Sequence, residues 1–235
     1  MILDARVLDL SRLLPGPYCS RILADFGAEV IKIERPGEGD WLRHMPPLAE
    51  GESVLFQNLN RGKKSLTLNL KSDTGRAIFL RLVETADALL EGFRPGVMER
   101  LGLGYETLSR TNPRLVYCSL SGYGQEGPYQ QRAGHDLNYI GLAGLLDLTG
   151  AQEGPPTIPG AQVADLAGAL WAAVGILLAL LARERTGRGQ RVDGSFLGAA
   201  LSCLPAGIAQ HAGRQAMERG SGNLTGGLIC YHVYE

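Results

Sequence analysis

His135, Asp136 and Asp165 are the side chains whose types and placement best suit proton chemistry. His135 and Asp136 stand side by side in "RAGHDLNYIGLAG", between a glycine and an apolar run, in a chain with only 4 histidines. Histidine has the unperturbed pKa nearest neutrality, so it is the first candidate for a proton carrier. The pair also has a structural reading, with Asp136 capping the helix "LNYIGLAGLL" and His135 as a buried hydrogen-bonding neighbour. Asp165 opens the long apolar run in "GAQVADLAGALWAAVGILLAL". A carboxylate at a helix start accepts amide hydrogen bonds and is favoured by the helix dipole. Such a cap is also held in place and kept ionised, as a base or nucleophile must be. At this level the structural and catalytic readings both stand.

Basic residues form a second group. Arg35 ends a strand in "IKIERPGEGD"; Arg61, Lys63 and Lys64 precede the next strand and Lys71 follows it; Arg94 and Arg100 follow another. Several lie at the carboxyl ends of strands, where open α/β sheets bind ligands. Arginine grips phosphate through two parallel hydrogen bonds, so a phosphate-bearing ligand suits this group, with ordinary solvated surface as the alternative. "GYGQEG" (122–127) has the glycine spacing of a dinucleotide fingerprint, but Pro128 and the polar "YQQR" follow it. The fingerprint needs a helix there to hold a pyrophosphate, and the context argues against it.

The elements that must position these residues alternate. "ARVLDL" reads as a strand, "PGPYCSRILADFG" as a helix with proline in its first turn and Gly27 past its end, and "AEVIKIE" as the next strand. "SLTLNL" (65–70) follows, then a helix capped by Ser72 or Asp73 whose apolar positions Ile78, Leu82 and Val83 share a face. "DALLEGF" and "LVYCSLS" are further strands. Apolar strands separated by single helices argue for a parallel sheet covered on both faces. The second half predicts helices from Asp136 to Asp147, from about Asp165 to Arg185 and from about Phe196, with a strand "QRVDGS" before the last. A polar, glycine-rich stretch then leads to "CYHVYE", which alternates like a strand.

The bulk numbers narrow the class. At 235 residues, 45% hydrophobic and 20% charged, the chain can bury a sizeable core and has the profile of a globular enzyme. A net charge of -1 gives no global pull toward nucleic acid or membrane, so any anion site is local. The 4 cysteines form no ligand or CxxC spacing, which fits free thiols in a reducing cytoplasm and no metal. "MILDARVLDL" lacks the uncharged core of a signal peptide. The run from Leu166 to Ala182 falls short of the roughly 20 residues of a typical span and contains Gly168 and Gly175, so it reads as a buried helix.

Taken together, "VLDLSRLLPGPYCSRILADFGAEVIKIERPGEGD", "NRGKKSLTLNLKSDTG", "LLEGFRPGVMERLGLGYE", "LVYCSLSGYGQEGP", "AGHDLNY" and "TGRGQRVDGS" resemble the family III CoA-transferases, and most closely their α-methylacyl-CoA racemase branch. The resemblance runs through nearly the whole chain. It implies an α/β fold: a Rossmann-like, open, mostly parallel sheet with helices on both faces, spanning residues 1–212 as a CoA-binding large domain. Residues 213–235 would be a linker and the start of a smaller domain, the chain being shorter than its relatives.

The resemblance assigns roles. Asp165 matches the family aspartate, a nucleophile that forms a mixed anhydride in the transferases and an acid/base in the racemases. His135 matches the racemase histidine, where the transferase pattern has an aromatic residue, and Asp136 is the third catalytic candidate, its partner carboxylate lying beyond residue 235 in racemases. CoA contacts carry over to Leu14, Pro15, Arg35, Leu68, Lys71, Gly92, Phe93, Arg100 and Leu101, with Leu14, Pro15 and Gly92 differing from the transferase residues. The implied function is racemisation of 2-methylacyl-CoA thioesters. CoA transfer through an Asp165 anhydride and a non-catalytic CoA-binding chain are the alternatives. CoA would come only as part of the substrate, with no permanently bound cofactor. A cytoplasmic homodimer without nucleic-acid or membrane partners completes the expectation.

Overall fold

The computed structural model describes residues 2–215 and 217–234. The first half contributes β1 (Arg6–Asp9), α1 (Pro15–Asp25) and β2 (Glu29–Glu34), then a 3-10 turn at Trp41–His44. A short hairpin, β3 (Leu48–Ala49) and β4 (Glu52–Ser53), runs into α2 (Val54–Asn60) and β5 (Lys64–Thr67). Next come α3 (Asp73–Val83), β6 (Ala88–Glu91), α4 (Val97–Arg100), α5 (Tyr105–Thr111) and β7 (Val116–Ser121). The second half is helical around one strand: α6 (Asp136–Leu142), α7 (Val163–Thr186), β8 (Arg191–Ser195), α8 (Phe196–Ser202) and α9 (Pro205–Ala212).

Six strands form one sheet in the order β5-β2-β1-β6-β7-β8, and every pairing in it is parallel. The chain winds outward from β1 through β2 to β5, returns beside β1 as β6, and winds outward again through β7 to β8. This is the Rossmann-like α/β sheet. The reversal between β1 and β6 leaves a crevice at their carboxyl ends, where such sheets bind ligands.

Successive strand residues point to opposite faces, so a strand covered on both sides is mostly apolar. Val7, Ala88, Leu90, Val116 and Cys118 pack with Cys19 and Leu23 of α1 and with Ala172, Ala173 and Ile176 of α7. Leu8, Leu89 and Tyr117 face the other way, against Phe79 and Val83 of α3 and Met98 and Leu108 beyond.

Several local expectations shift. The third strand of the chain's first half ends at Thr67 and not at Leu70, because 68–70 leave the sheet to wall the crevice. Ser72 caps α3 as expected, its hydroxyl accepting from the Gly75 N–H at 3.1 Å. The buried face of that helix is Gly75, Phe79 and Val83, and Ile78 is 42% exposed. Positions 78, 79, 80, 82 and 83 are all apolar, so periodicity alone leaves the face open. Helix α6 stops at Leu142 rather than Asp147, and the last helical stretch breaks at Leu204 ahead of Pro205, whose ring cannot continue a helix. Residues 230–234 form no strand, only an isolated bridge between Leu228 and Tyr231; Glu235 lies outside the described residues.

Helix α7 begins at Val163, two residues ahead of expectation, and ends at Gly187 in the left-handed conformation (φ 70°) that glycine adopts readily. It is long and apolar enough to cross a membrane. Its alanine- and glycine-rich side is buried against α1, β7 and β8, while Leu170, Leu178 and Leu181 are exposed. Gly168 is required by space: a Cβ there would meet Phe196 Cδ1 of α8 at 2.6 Å. Alanine ordinarily favours a helix over glycine by about 1 kcal/mol. Here the rigid ring opposes it, and Gly168→Ala is expected to lower stability by about 1–3 kcal/mol in a denaturant titration.

Candidate active site

The crevice at the strand ends encloses about 440 Å³. Its walls come from the turns that follow four strands: Leu10, Ser11 and Arg12 after β1, Arg35 and Pro36 after β2, Leu68–Lys71 after β5, and Phe93 after β6, with Val97 and Leu101 from the α4 region. Five of the expected CoA contacts, Arg35, Leu68, Lys71, Phe93 and Leu101, therefore line one cavity. The other four are not among its lining residues. Leu14 and Pro15 start α1, a Cβ on Gly92 would lie 3.6 Å from Ser11 Cβ, and Arg100 ends α4 with its guanidinium close to Gly96.

The floor is charged but internally neutralised. Lys32 Nζ pairs with Asp40 at 3.0 Å and donates to the Ser11 carbonyl at 2.9 Å, with both charged side chains almost wholly buried. Glu34 accepts from Arg43 at 2.8 and 2.6 Å and from Ser65 at 2.7 Å. Burial opposes its ionisation, yet these donors hold its pKa at about 2. Asp9 is fully buried and receives Ser11, Ser20 at 2.5 Å and Lys63 at 3.2 Å. Burial again raises its pKa, but Lys63, Lys32 and the two serines outweigh that and lower it to about 2. Arg12, Arg35 and Lys71 bring three cations to the cavity wall, Arg35 being paired there with Glu38. Arg12 also stacks over Phe93, 5.6 Å from the ring centre.

The basic cluster thus divides. Arg61 pairs with Asp25 and Lys64 with Glu29, and Lys63 is spent on Asp9, so these three serve the fold. Spacing along the chain did not separate them from Arg35 and Lys71. Ser11, Arg12, Lys32 and Asp40 were missed, although "DLSRL" sits at the carboxyl end of β1, a position that itself marks a ligand site.

Two of the proton-transfer candidates, Asp136 and Asp165, come together where α6 packs on α7. His135 is the N-cap of α6 and Asp136 its first residue, so histidine and not aspartate takes the cap, and it is exposed. Asp165 lies in the first turn of α7 rather than at its cap. The two helices touch there: the Asp165 N–H donates to Asp136 Oδ1 at 3.1 Å. Burial, and then the Asp136 charge, raise the Asp165 pKa to about 6. A carboxyl group poised there can take or give a proton near neutral pH. The loop leading to His135 is tied to the turn after β6, where Gln131 Nε2 donates to the Pro95 carbonyl at 3.2 Å.

The class this defines is an open parallel α/β protein with a cation-lined crevice at its switch point and carboxylate chemistry beside it. The chain belongs to CoA-transferase family III, whose model matches residues 2–235. It is 46% identical over 207 residues to an acetyl-CoA:oxalate CoA-transferase of Acetobacter aceti (88% of this chain, 52% of that protein). It is 42% identical over 230 residues to the α-methylacyl-CoA racemase of Homo sapiens (97% of this chain, 56% of that protein). A CAIB/BAIF family protein from Brucella suis superposes with a TM-score of 0.87 at 38% identity, covering 92% of this chain and 59% of that one. The chain spans about half the length of the relatives it matches.

Proposed function

We propose that this chain carries the CoA-binding and proton-transfer half of an α-methylacyl-CoA racemase, with CoA thioesters as substrate and no further cofactor. The α-hydrogen of a 2-methylacyl thioester is a weak acid. Inverting that carbon needs one group to remove the proton from one face and a second to return one to the other. His135 and Asp165 are the two groups, and the observation that carries the reading is the histidine at the start of α6, whose next residue, Asp136, touches the start of α7. Arg12, Arg35 and Lys71 supply phosphate contacts and Leu68, Phe93 and Leu101 the apolar ones. Asp136 orients the first turn of α7 and, through its charge, helps keep Asp165 protonatable.

CoA transfer is the second reading. It is favoured by relatives named as CoA-transferases for oxalate, glutarate and mesaconate. There Asp165 attacks the thioester carbonyl, the C–S bond breaks, and CoA thiolate leaves behind an acyl anhydride. Incubating the chain with one epimer of a 2-methylacyl-CoA in deuterium oxide separates the two. Deuterium at C2 together with loss of chirality is the expected result. An unexchanged C2 and an enzyme anhydride trapped by hydroxylamine would overturn the racemase reading in favour of the transferase.

A further inference from the structure

We propose that Tyr139 is the positioning residue that sets His135 for proton transfer, by locking the one peptide group on which the histidine hangs; this rests on the racemase reading above. The Tyr139 hydroxyl donates to the Gly134 carbonyl at 2.7 Å. Asn138 Oδ1 accepts from the His135 N–H at 2.9 Å. That carbonyl and that N–H belong to the same peptide bond. A peptide unit is planar, so gripping it at both ends fixes its plane. His135 then retains its own φ and side-chain rotation as the soft variables of its placement.

The grip is referred to the sheet and not only to α6. Tyr139 is 5% exposed, and its ring packs edge-on to Tyr123 and tilted against Phe196, each 5.3 Å between centres. Tyr123 lies in the loop that leaves β7, and Phe196 opens α8 after β8. The ring therefore ties the loop before His135 to the carboxyl ends of two strands.

The fit admits no side chain on either neighbouring loop. A Cβ on Gly122 would lie 2.7 Å from the Tyr139 hydroxyl oxygen, and one on Gly134 would lie 2.7 Å from its ring. The two glycines are there for space. His135 itself is exposed, at the N-cap of α6.

The test is Tyr139→Phe in the 235-residue chain, which keeps the ring and its packing and removes only the hydroxyl. Two measurements are made on each protein: amide hydrogen exchange at residues 134–136, and solvent-deuterium exchange into C2 of a 2-methylacyl-CoA. Misplacing a reacting group by a fraction of an ångström to 1 Å costs up to about 100-fold, so a fall in kcat of about 10-fold is expected. KM is expected to stay the same, and the His135 amide to exchange faster, with the unfolding midpoint lowered only by the small loss that one hydrogen bond accounts for. Wild-type kcat, or wild-type protection of the His135 amide, would overturn the proposal. A KM rise or a lowered midpoint in place of the kcat loss would show a merely structural tyrosine. If the unaltered chain exchanges no deuterium at C2, the racemase reading fails separately, and amide protection in the variant still decides whether Tyr139 locks this peptide.

Discussion

Asp165→Asn is expected to reduce exchange at C2 by about 10²–10⁴-fold while leaving CoA affinity unchanged, the range for removing a positioned acid/base. Asparagine preserves the size of the side chain and the backbone N–H that donates to Asp136, so the junction of α6 and α7 survives. It cannot hold the proton. The pH dependence gives a second, sharper readout. Asp165 is ionised above its raised pKa of about 6. For the epimer whose proton Asp165 removes, the rate rises with pH through about 6; for the opposite epimer, where Asp165 must deliver a proton, it falls through the same point. Profiles for the two pure epimers that move in the same direction would remove Asp165 from the exchange, as would a variant within a few-fold of wild type.

Asp9→Ala is expected to have the largest effect on stability. It strands the buried Lys63 ammonium, and breaking a buried pair by removing one partner costs about 3–5 kcal/mol. Two serine hydroxyls, Ser11 and Ser20, lose their acceptor at the same time. The site lies at the carboxyl end of β1, directly beneath the turn that walls the crevice, so CoA binding is expected to weaken with stability. Urea unfolding of both proteins checks it, a loss under about 1 kcal/mol counting against the network. The same pair predicts the acid limb of the wild-type curve. Asp9 titrates near 3.8 in the unfolded chain and at about 2 in the folded one. The unfolded state binds the proton first, so the stabilisation is whole above about pH 4 and is lost as pH falls from 3.8 toward 2. Asp9→Ala is expected to flatten that limb.

Much of the frame was legible in the sequence. The central sheet strands could be read from apolar runs such as "ALLE" and "VYCSLS", because a strand buried on both faces is mostly apolar. The edge strands "KSLT" and "RVDGS" are more exposed and carry no such run. Proline in the first turn of α1 and Ser72 ahead of α3 marked helix starts by chemistry that acts within a few residues. The short elements between β2 and β5 carried no such signal. Helix α2 is seven residues long and held by the Ser53 cap and by packing on α1, a contact between segments far apart in sequence.

The site divides along the same line. By itself the sequence determined which residues are capable of the chemistry: a histidine beside an aspartate, a carboxylate at the start of an apolar helix, and a supply of cations near strand ends. These are properties of residue type and of neighbours within one turn. Only the tertiary structure decided where each of them is placed. Lys63 and Lys71 look alike in "NRGKKSLTLNLK", yet one is buried on Asp9 and the other lines the crevice, because they stand at opposite ends of β5, which pairs with β2. Asp136 and Asp165 are far apart in the chain, and their contact exists only because α6 packs on α7. The raised pKa of Asp165 follows from that packing, since desolvation and the charge of a neighbour act through space and leave no mark on local sequence.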